Sequence, residues 1–191
     1  MGAIRAVTVY CSSSSKVARV HNETAEALGR EIARCGWTLV YGGNYLGVMA
    51  ALVDGARAER GRVVGITPQC LADRGLSDPR CQELIVADDL RHRKRLMEER
   101  GDAFVALPGG LGTLEEIFEI IVARVLHLHD KPIVLLNVDG YYDPLLAMLE
   151  HGIRQGFIKA RARDAWYVAT NAAMTMRYLR ACSEKAPAQR A

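Results

Sequence analysis

The chain has 191 residues, half of them hydrophobic and a quarter charged, which fits one globular domain and excludes a wholly disordered chain. Its formal charge is +3, from 25 basic and 22 acidic residues, too balanced for a protein that coats nucleic acid. No stretch approaches the ~20 apolar residues that span a bilayer, and Met1-Gly2-Ala3-Ile4-Arg5 opens no secretory leader, so a cytoplasmic location with no membrane partner is expected.

Along the chain, short apolar runs alternate with longer helical patterns. Ile4–Tyr10 reads as a buried strand, and His21–Cys35 as a helix with Ala25, Leu28, Ile32 and Ala33 on one face. Trp37–Tyr41 is a strand ending at Gly42-Gly43, followed by a helix over Gly47–Arg60. Arg62–Ile66 is a third strand, stopped by Thr67-Pro68, and Gln69–Arg80 reads as a loop with one turn of helix. Glu83–Ala87 is a strand and Asp89–Arg100 a charged helix. Ala103–Leu107 runs into Pro108-Gly109-Gly110, and Thr113–His127 is a strongly apolar helix. Strand Pro132–Asn137, helix Pro144–Gln155, strand Trp166–Ala169 and helix Ala172–Cys182 complete the domain, with a polar, frayed tail from Ser183. Seven near-continuous apolar strands alternating with helices give an α/β fold. The expected architecture is a Rossmann-like three-layer sandwich, a parallel sheet with helices on both faces, in a single nucleotide-binding domain over residues 1–182.

Ligands of open α/β sheets bind outside the carboxyl ends of the strands. Three loops there are rich in small residues: Cys11-Ser12-Ser13-Ser14-Ser15, Gly42-Gly43-Asn44-Tyr45-Leu46-Gly47, and Pro108-Gly109-Gly110-Leu111-Gly112-Thr113. The last two lead straight into helices, whose free N–H groups and positive dipole end suit a phosphate; the same glycines also serve tight strand-to-helix turns. Val48-Met49 stands where a Walker A motif has Lys-Ser/Thr, and neither loop is a Gly-x-Gly-x-x-Gly fingerprint. Arg91-His92-Arg93-Lys94-Arg95 reads mostly as a solvated face, at an edge where one or two of its side chains come within reach of a nucleotide. Glu115-Glu116 follows the third loop, and there Thr113-Leu114-Glu115-Glu116 has the Thr-x-x-Glu pattern of a helix capping box. Capping and catalysis are both open for Glu116 at this point. The five cysteines are odd in number and form no Cys-x-x-Cys, and no His stands at ligand spacing from them, so no metal site is expected.

Pro108-Gly109-Gly110-Leu111-Gly112-Thr113-Leu114-Glu115-Glu116 resembles the Pro-Gly-Gly-x-Gly-Thr-x-x-Glu signature of the "lonely guy" (LOG) family. Those proteins are cytokinin riboside 5′-monophosphate phosphoribohydrolases, long mislabelled as lysine decarboxylases. Arg93-Lys94 with Met97 resembles the family's Arg-Lys motif, and Tyr41–Met49 its Gly-Gly loop. Val9–Ser13, Asp139-Gly140-Tyr141-Tyr142 and Gly156-Phe157-Ile158 are similar to further family stretches, so the likeness covers roughly residues 4 to 180. Ser12 and Ala50 stand where members often have Gly, and Gly75 where some carry a Glu that contacts substrate, which bears on base specificity.

The resemblance implies hydrolysis of the N-glycosidic bond of an adenosine 5′-monophosphate, plain or N6-substituted, with no cofactor. It implies catalytic roles for Arg93 and Glu116, and substrate contacts from Lys94, Gly109, Gly110, Leu111, Gly112, Thr113, Leu114, Glu115, Gly42, Gly43 and Ser12. The alternative in another class is a nucleotide- or cofactor-binding carrier without catalysis. A pyridoxal-phosphate decarboxylase needs a Schiff-base Lys, and none of Lys16, Lys94, Lys131, Lys159 or Lys185 has that context. The helix from Thr113 carries Ile117, Ile120, Ile121, Val122, Val125 and Leu126, more apolar surface than one buried face requires, and with the resemblance this points to a homodimer.

Overall fold

Seven short apolar segments form one parallel sheet in the computed structural model, which describes residues 2–185. In chain order the elements are β1 (Ala6–Tyr10), α1 (Arg19–Arg34), β2 (Thr38–Tyr41), α2 (Gly47–Ala58), β3 (Val63–Pro68) and α3 (Gln69–Ala72). Then come β4 (Glu83–Ala87), α4 (Leu90–Arg100), β5 (Ala103–Ala106), α5 (Leu111–Val125) and β6 (Ile133–Leu136). A 3₁₀ turn at Val138–Gly140, α6 (Asp143–Arg154), a second 3₁₀ segment at Ala160–Ala165, β7 (Tyr167–Ala169) and α7 (Ala172–Glu184) complete it.

The strand order is β4-β3-β2-β1-β5-β6-β7. The chain winds outward from β1 to β4, then returns to place β5 on the other side of β1, with Val9 paired to Val105. The order therefore reverses between β1 and β5, and the crevice at the carboxyl ends of those two strands is where such sheets bind ligands.

Side chains alternate across the sheet and divide the interior in two. Val7, Val9, Leu39, Tyr41, Val105 and Leu136 pack against Leu28 and Ile32 of α1, Leu52 of α2 and Leu179 of α7. Tyr10, Val40, Val64, Phe104, Ala106 and Leu135 point the other way, onto Met97 of α4 and Ile117 and Ile120 of α5. The helices that carry Arg93 and Glu116 thus lie on the same face. Asp89 caps α4 by accepting from the His92 N–H at 2.7 Å, and the Thr8 hydroxyl donates to the Met97 carbonyl at 2.9 Å, fixing α4 against β1.

Three boundaries differ from the sequence reading in ways that matter. β3 runs through Pro68 rather than stopping before it: β2 pairs only as far as Gly65, so past that point the missing Pro N–H interrupts no second ladder. α5 begins at Leu111, with Gly110 at its N-cap, two residues before the expected Thr113. α7 continues through Glu184, and the Ser183 hydroxyl accepts from the Ile4 N–H at 3.0 Å; of the expected tail, residues 186–191 lie outside the described residues. Among the described residues no helix is long and apolar enough to cross a membrane.

Candidate active site

Because α5 starts at Leu111, Thr113 is an interior residue of the first turn and caps nothing. Glu116 then has no capping box to close. Its Oε1 instead accepts a hydrogen bond of 2.5 Å from Arg93 Nη1, 23 residues back on α4. Arg93 Nε donates to the Ile66 carbonyl of β3 at 2.9 Å, which fixes the guanidinium plane. Both side chains are nearly closed to solvent, with the residues 8% and 7% exposed. Burial pushes the Glu116 carboxyl above its ordinary range, against the lowering pull of the Arg93 charge and hydrogen bond.

This pair lies in the wall of a cleft of about 250 Å³ at the carboxyl edge of the sheet. Ser12 and Ser13 follow β1, Gly42 and Asn44 follow β2, Leu71 follows β3, and Gly110, Gly112 and Thr113 open α5. Cys11 and Met49 also line it. Burial, reinforced by the Glu116 charge, raises the Cys11 thiol far above its usual range, so it stays protonated and is no nucleophile. A smaller cavity of about 170 Å³, lined by Ser12, Val17, His21, Val48, Pro108, Gly109, Gly110 and Tyr141, shares Ser12 and Gly110 with the cleft.

The start of α5 presents unpaired backbone donors. The N–H groups of Leu111, Gly112 and Thr113 have no intrahelical acceptor, and Leu114 N is the first to find one, the Gly110 carbonyl. Two tyrosines hold the preceding carbonyls: Tyr142 Oη donates to Leu107 O at 2.7 Å, and Tyr141 Oη to Gly109 O at 2.5 Å. With those acceptors occupied, the loop presents mainly donors. Tyr141 and Tyr142 were visible in the sequence only as part of a family-like stretch; no spacing linked them to this loop.

Not every residue expected at the site lines these cavities. Lys94 is bound to Glu115 and, at 2.6 Å, to Glu119, both on α5. Gly43, Leu111, Leu114, Lys94 and Glu115 are absent from the lining of both cavities, whereas Ser12, Gly42, Gly109, Gly110, Gly112, Thr113, Arg93 and Glu116 contribute to one or both. Gly75 closes α3 at φ +67° in open surroundings, away from the lining. Among the described residues no group of three or more His, Cys, Asp or Glu side chains is placed to hold a metal ion.

A family model described as "Possible lysine decarboxylase" matches residues 49–179. A cytokinin riboside 5′-monophosphate phosphoribohydrolase of Mycobacterium tuberculosis is 41% identical over 177 residues, covering 93% of this chain and 92% of that protein. The chain belongs to the LOG family. A rice LOG relative, named as a probable enzyme of the same activity, is 43% identical over 160 residues; the match takes in 83% of this chain and 65% of that longer protein. The molybdenum cofactor carrier protein of Chlamydomonas reinhardtii has the same fold, with a TM-score of 0.72 over 94% of this chain and 98% of its own, at 24% identity. Neither the cleft nor the smaller cavity beside it is lined by a lysine.

Proposed function

We propose that this protein hydrolyses the N-glycosidic bond of adenosine 5′-monophosphates, plain or N6-substituted, releasing the free base and ribose 5-phosphate. The observation that carries the reading is the buried Arg93–Glu116 pair set in one cleft with the donor-rich start of α5. The 5′-phosphate sits on the N–H groups of Gly112 and Thr113 and on the Ser12 hydroxyl. That places C1′ of the ribose along the cleft, toward Glu116.

Cleavage breaks C1′–N9, the electron pair leaving with the purine and positive charge developing on the ribose. Ionised Glu116 stabilises that charge and accepts a proton from the water whose oxygen bonds to C1′; the proton passes to the departing base. Arg93 keeps the carboxylate oriented and ionised at neutral pH. Lys94, tied to Glu115 and Glu119, holds α4 to α5 at the rim. The outer face of α5, with Leu111, Val122 and Leu126 exposed, seats a second copy of the chain, giving a homodimer. The expected location is cytoplasmic.

The test is release of free base from AMP, isopentenyladenosine monophosphate, GMP and CMP side by side, with adenosine alongside AMP. Turnover of AMP with none of adenosine is the expected result. Equal turnover of the two removes the phosphate assignment, and tight binding of every nucleotide with no base released makes the protein a carrier.

A further inference from the structure

The Arg93 guanidinium reaches from α4 over the carboxyl edge of the sheet, and each of its three nitrogens meets a different element. Nε donates to the Ile66 carbonyl of β3 at 2.9 Å, and Nη1 to Glu116 Oε1 of α5 at 2.5 Å. Nη2 lies against Gly42, the residue after β2, where a Cβ would stand 2.5 Å from it. Ordinary contacts begin at about 3.5 Å, so the space over Gly42 holds Nη2 only while Gly42 has no side chain. Gly42, Arg93 and Glu116 all line the cleft.

The two glycines of the Gly42-Gly43 pair are needed for different reasons. Gly43 has a left-handed φ of +72°, and a Cβ there would come 3.1 Å from the main chain of Ile66 and Thr67, so the backbone itself requires glycine. Gly42 lies outside the left-handed region. The three atoms nearest a Cβ at Gly42 are all ends of side chains: Arg93 Nη2 and, at 3.0 and 3.4 Å, Met49 Cε and Sδ. A thioether chain shifts readily into another rotamer. The guanidinium has no such freedom, because a displacement of ~1 Å away from Gly42 lengthens or bends its bond to Glu116 or its bond to Ile66.

We propose that Gly42 is a positioning residue for the reaction: by having no side chain, it lets the Arg93 guanidinium take the seat from which it faces Glu116. This rests on the hydrolase reading given above, and it gives Gly42 a role separate from the substrate contact that the family resemblance implies. The charged and titratable groups around Glu116 are Arg93 and Lys94 from α4, Glu115 on its own helix, and Tyr10 and Cys11 at the end of β1. Of these, Arg93 alone is among the groups nearest a Cβ at Gly42. A methyl group there therefore acts on Glu116 through one partner, and moving that cation away raises the carboxyl further.

The experiment places Gly42→Ala in the wild-type and Arg93→Ala backgrounds and measures kcat/KM on AMP against pH, with melting temperatures, for all four proteins. In wild type, Gly42→Ala is expected to lower kcat/KM about 10–100-fold at neutral pH, the cost of a ~1 Å misplacement at a reacting centre. The acid limb moves upward, and melting stays close to wild type. In Arg93→Ala the same substitution changes kcat/KM by less than about twofold, since two residues that act through one contact do not add. A loss of equal size in both backgrounds makes Gly42 a substrate contact and overturns the proposal. So does a Gly42→Ala protein with the wild-type rate and acid limb. Should Gly42→Ala melt well below wild type, the double variant decides: melting together with Arg93→Ala sustains the proposal, and melting lower still ends it. Wild type that releases no base from AMP overturns the hydrolase reading instead. The Glu116 carboxyl carbon, titrated by NMR in wild type and Gly42→Ala, then tests the seating of Arg93 directly: a higher midpoint in the variant sustains it, and an unaltered midpoint ends it.

Discussion

Gly47, in the turn after β2, has φ +55°, and a Cβ built there would lie 2.1 Å from the Ser14 carbonyl oxygen. At Gly110 and Gly112, at the start of α5, a Cβ would meet nothing within 4 Å, and neither φ is positive. The two regions look alike in sequence and leave the same sheet edge. Around β2 the protein itself occupies the space that a side chain would take: a Cβ at Gly42 would come 2.5 Å from Arg93 Nη2. At Gly110 and Gly112 the fold makes no demand for glycine, whereas at Gly109, just before them, a Cβ would lie 2.1 Å from Thr113 Oγ1. A glycine-rich loop thus has two separable causes, internal packing and ligand access, and building the missing Cβ distinguishes them.

The largest effect sharpens the ligand side. Glu116→Gln is expected to slow base release by roughly 10²–10⁴-fold, since an amide neither stabilises a developing cation by charge nor takes a proton from water. Its stability stays within about 1 kcal/mol of wild type, because the Gln oxygen still accepts from Arg93. Melting temperature and turnover on one preparation check this; normal melting with near-wild-type turnover would reduce Glu116 to a structural partner of Arg93. Next comes the packing side. Gly47→Ala should cost on the order of 3 kcal/mol in a urea titration, from the left-handed backbone and the contact with Ser14 together. A variant that unfolds at the wild-type midpoint contradicts the assignment of that loop to packing.

Gly112→Ala is the complementary case and the more informative one. It should weaken AMP binding about 10-fold, because the added methyl stands where the phosphate approaches the helix N–H groups and lengthens a hydrogen bond to a charged group, while the melting temperature stays level or rises, as Ala suits a helix better than Gly by roughly 0.5 kcal/mol. A stability loss without a binding loss would erase the contrast between the two regions. The smallest effect is on pH. In the proposed mechanism ionised Glu116 is the active form, and burial raises its pKa, so the acid limb of kcat/KM should lie above the ordinary glutamate value of ~4.3. Arg93→Ala removes the opposing charge and should move the limb higher still, besides lowering turnover. The same raised pKa means that stability falls as pH rises through it, so Glu116→Gln should gain on wild type across that window.

The sheet was legible because both its faces are covered, which leaves strands as unbroken apolar runs such as Ala103–Ala106 and Ile133–Leu136. The 3₁₀ segments at Val138–Gly140 and Ala160–Ala165 carry no such period and went unread. Thr113-x-x-Glu116 misplaced the start of α5, because a pattern of residue types cannot reveal that the turn had already begun at Leu111. At the site, Arg93 and Glu116 came from a family motif. Their contact spans two helices and depends on β3 supplying the Ile66 carbonyl, a relation that no local spacing encodes.

The outer stripe of α5, where Leu111 is 86% exposed and Val122 and Leu126 stand open, shares its helix with buried Glu116. A copy of the chain seated on that stripe would bind one side of the rod whose other side holds the carboxylate proposed to react. By mass action the catalytic geometry would then depend on how much protein is in the tube. Specific activity would fall on dilution and recover on concentration, and an assay run at nanomolar enzyme would understate the turnover of the same protein at the concentration found in a cell.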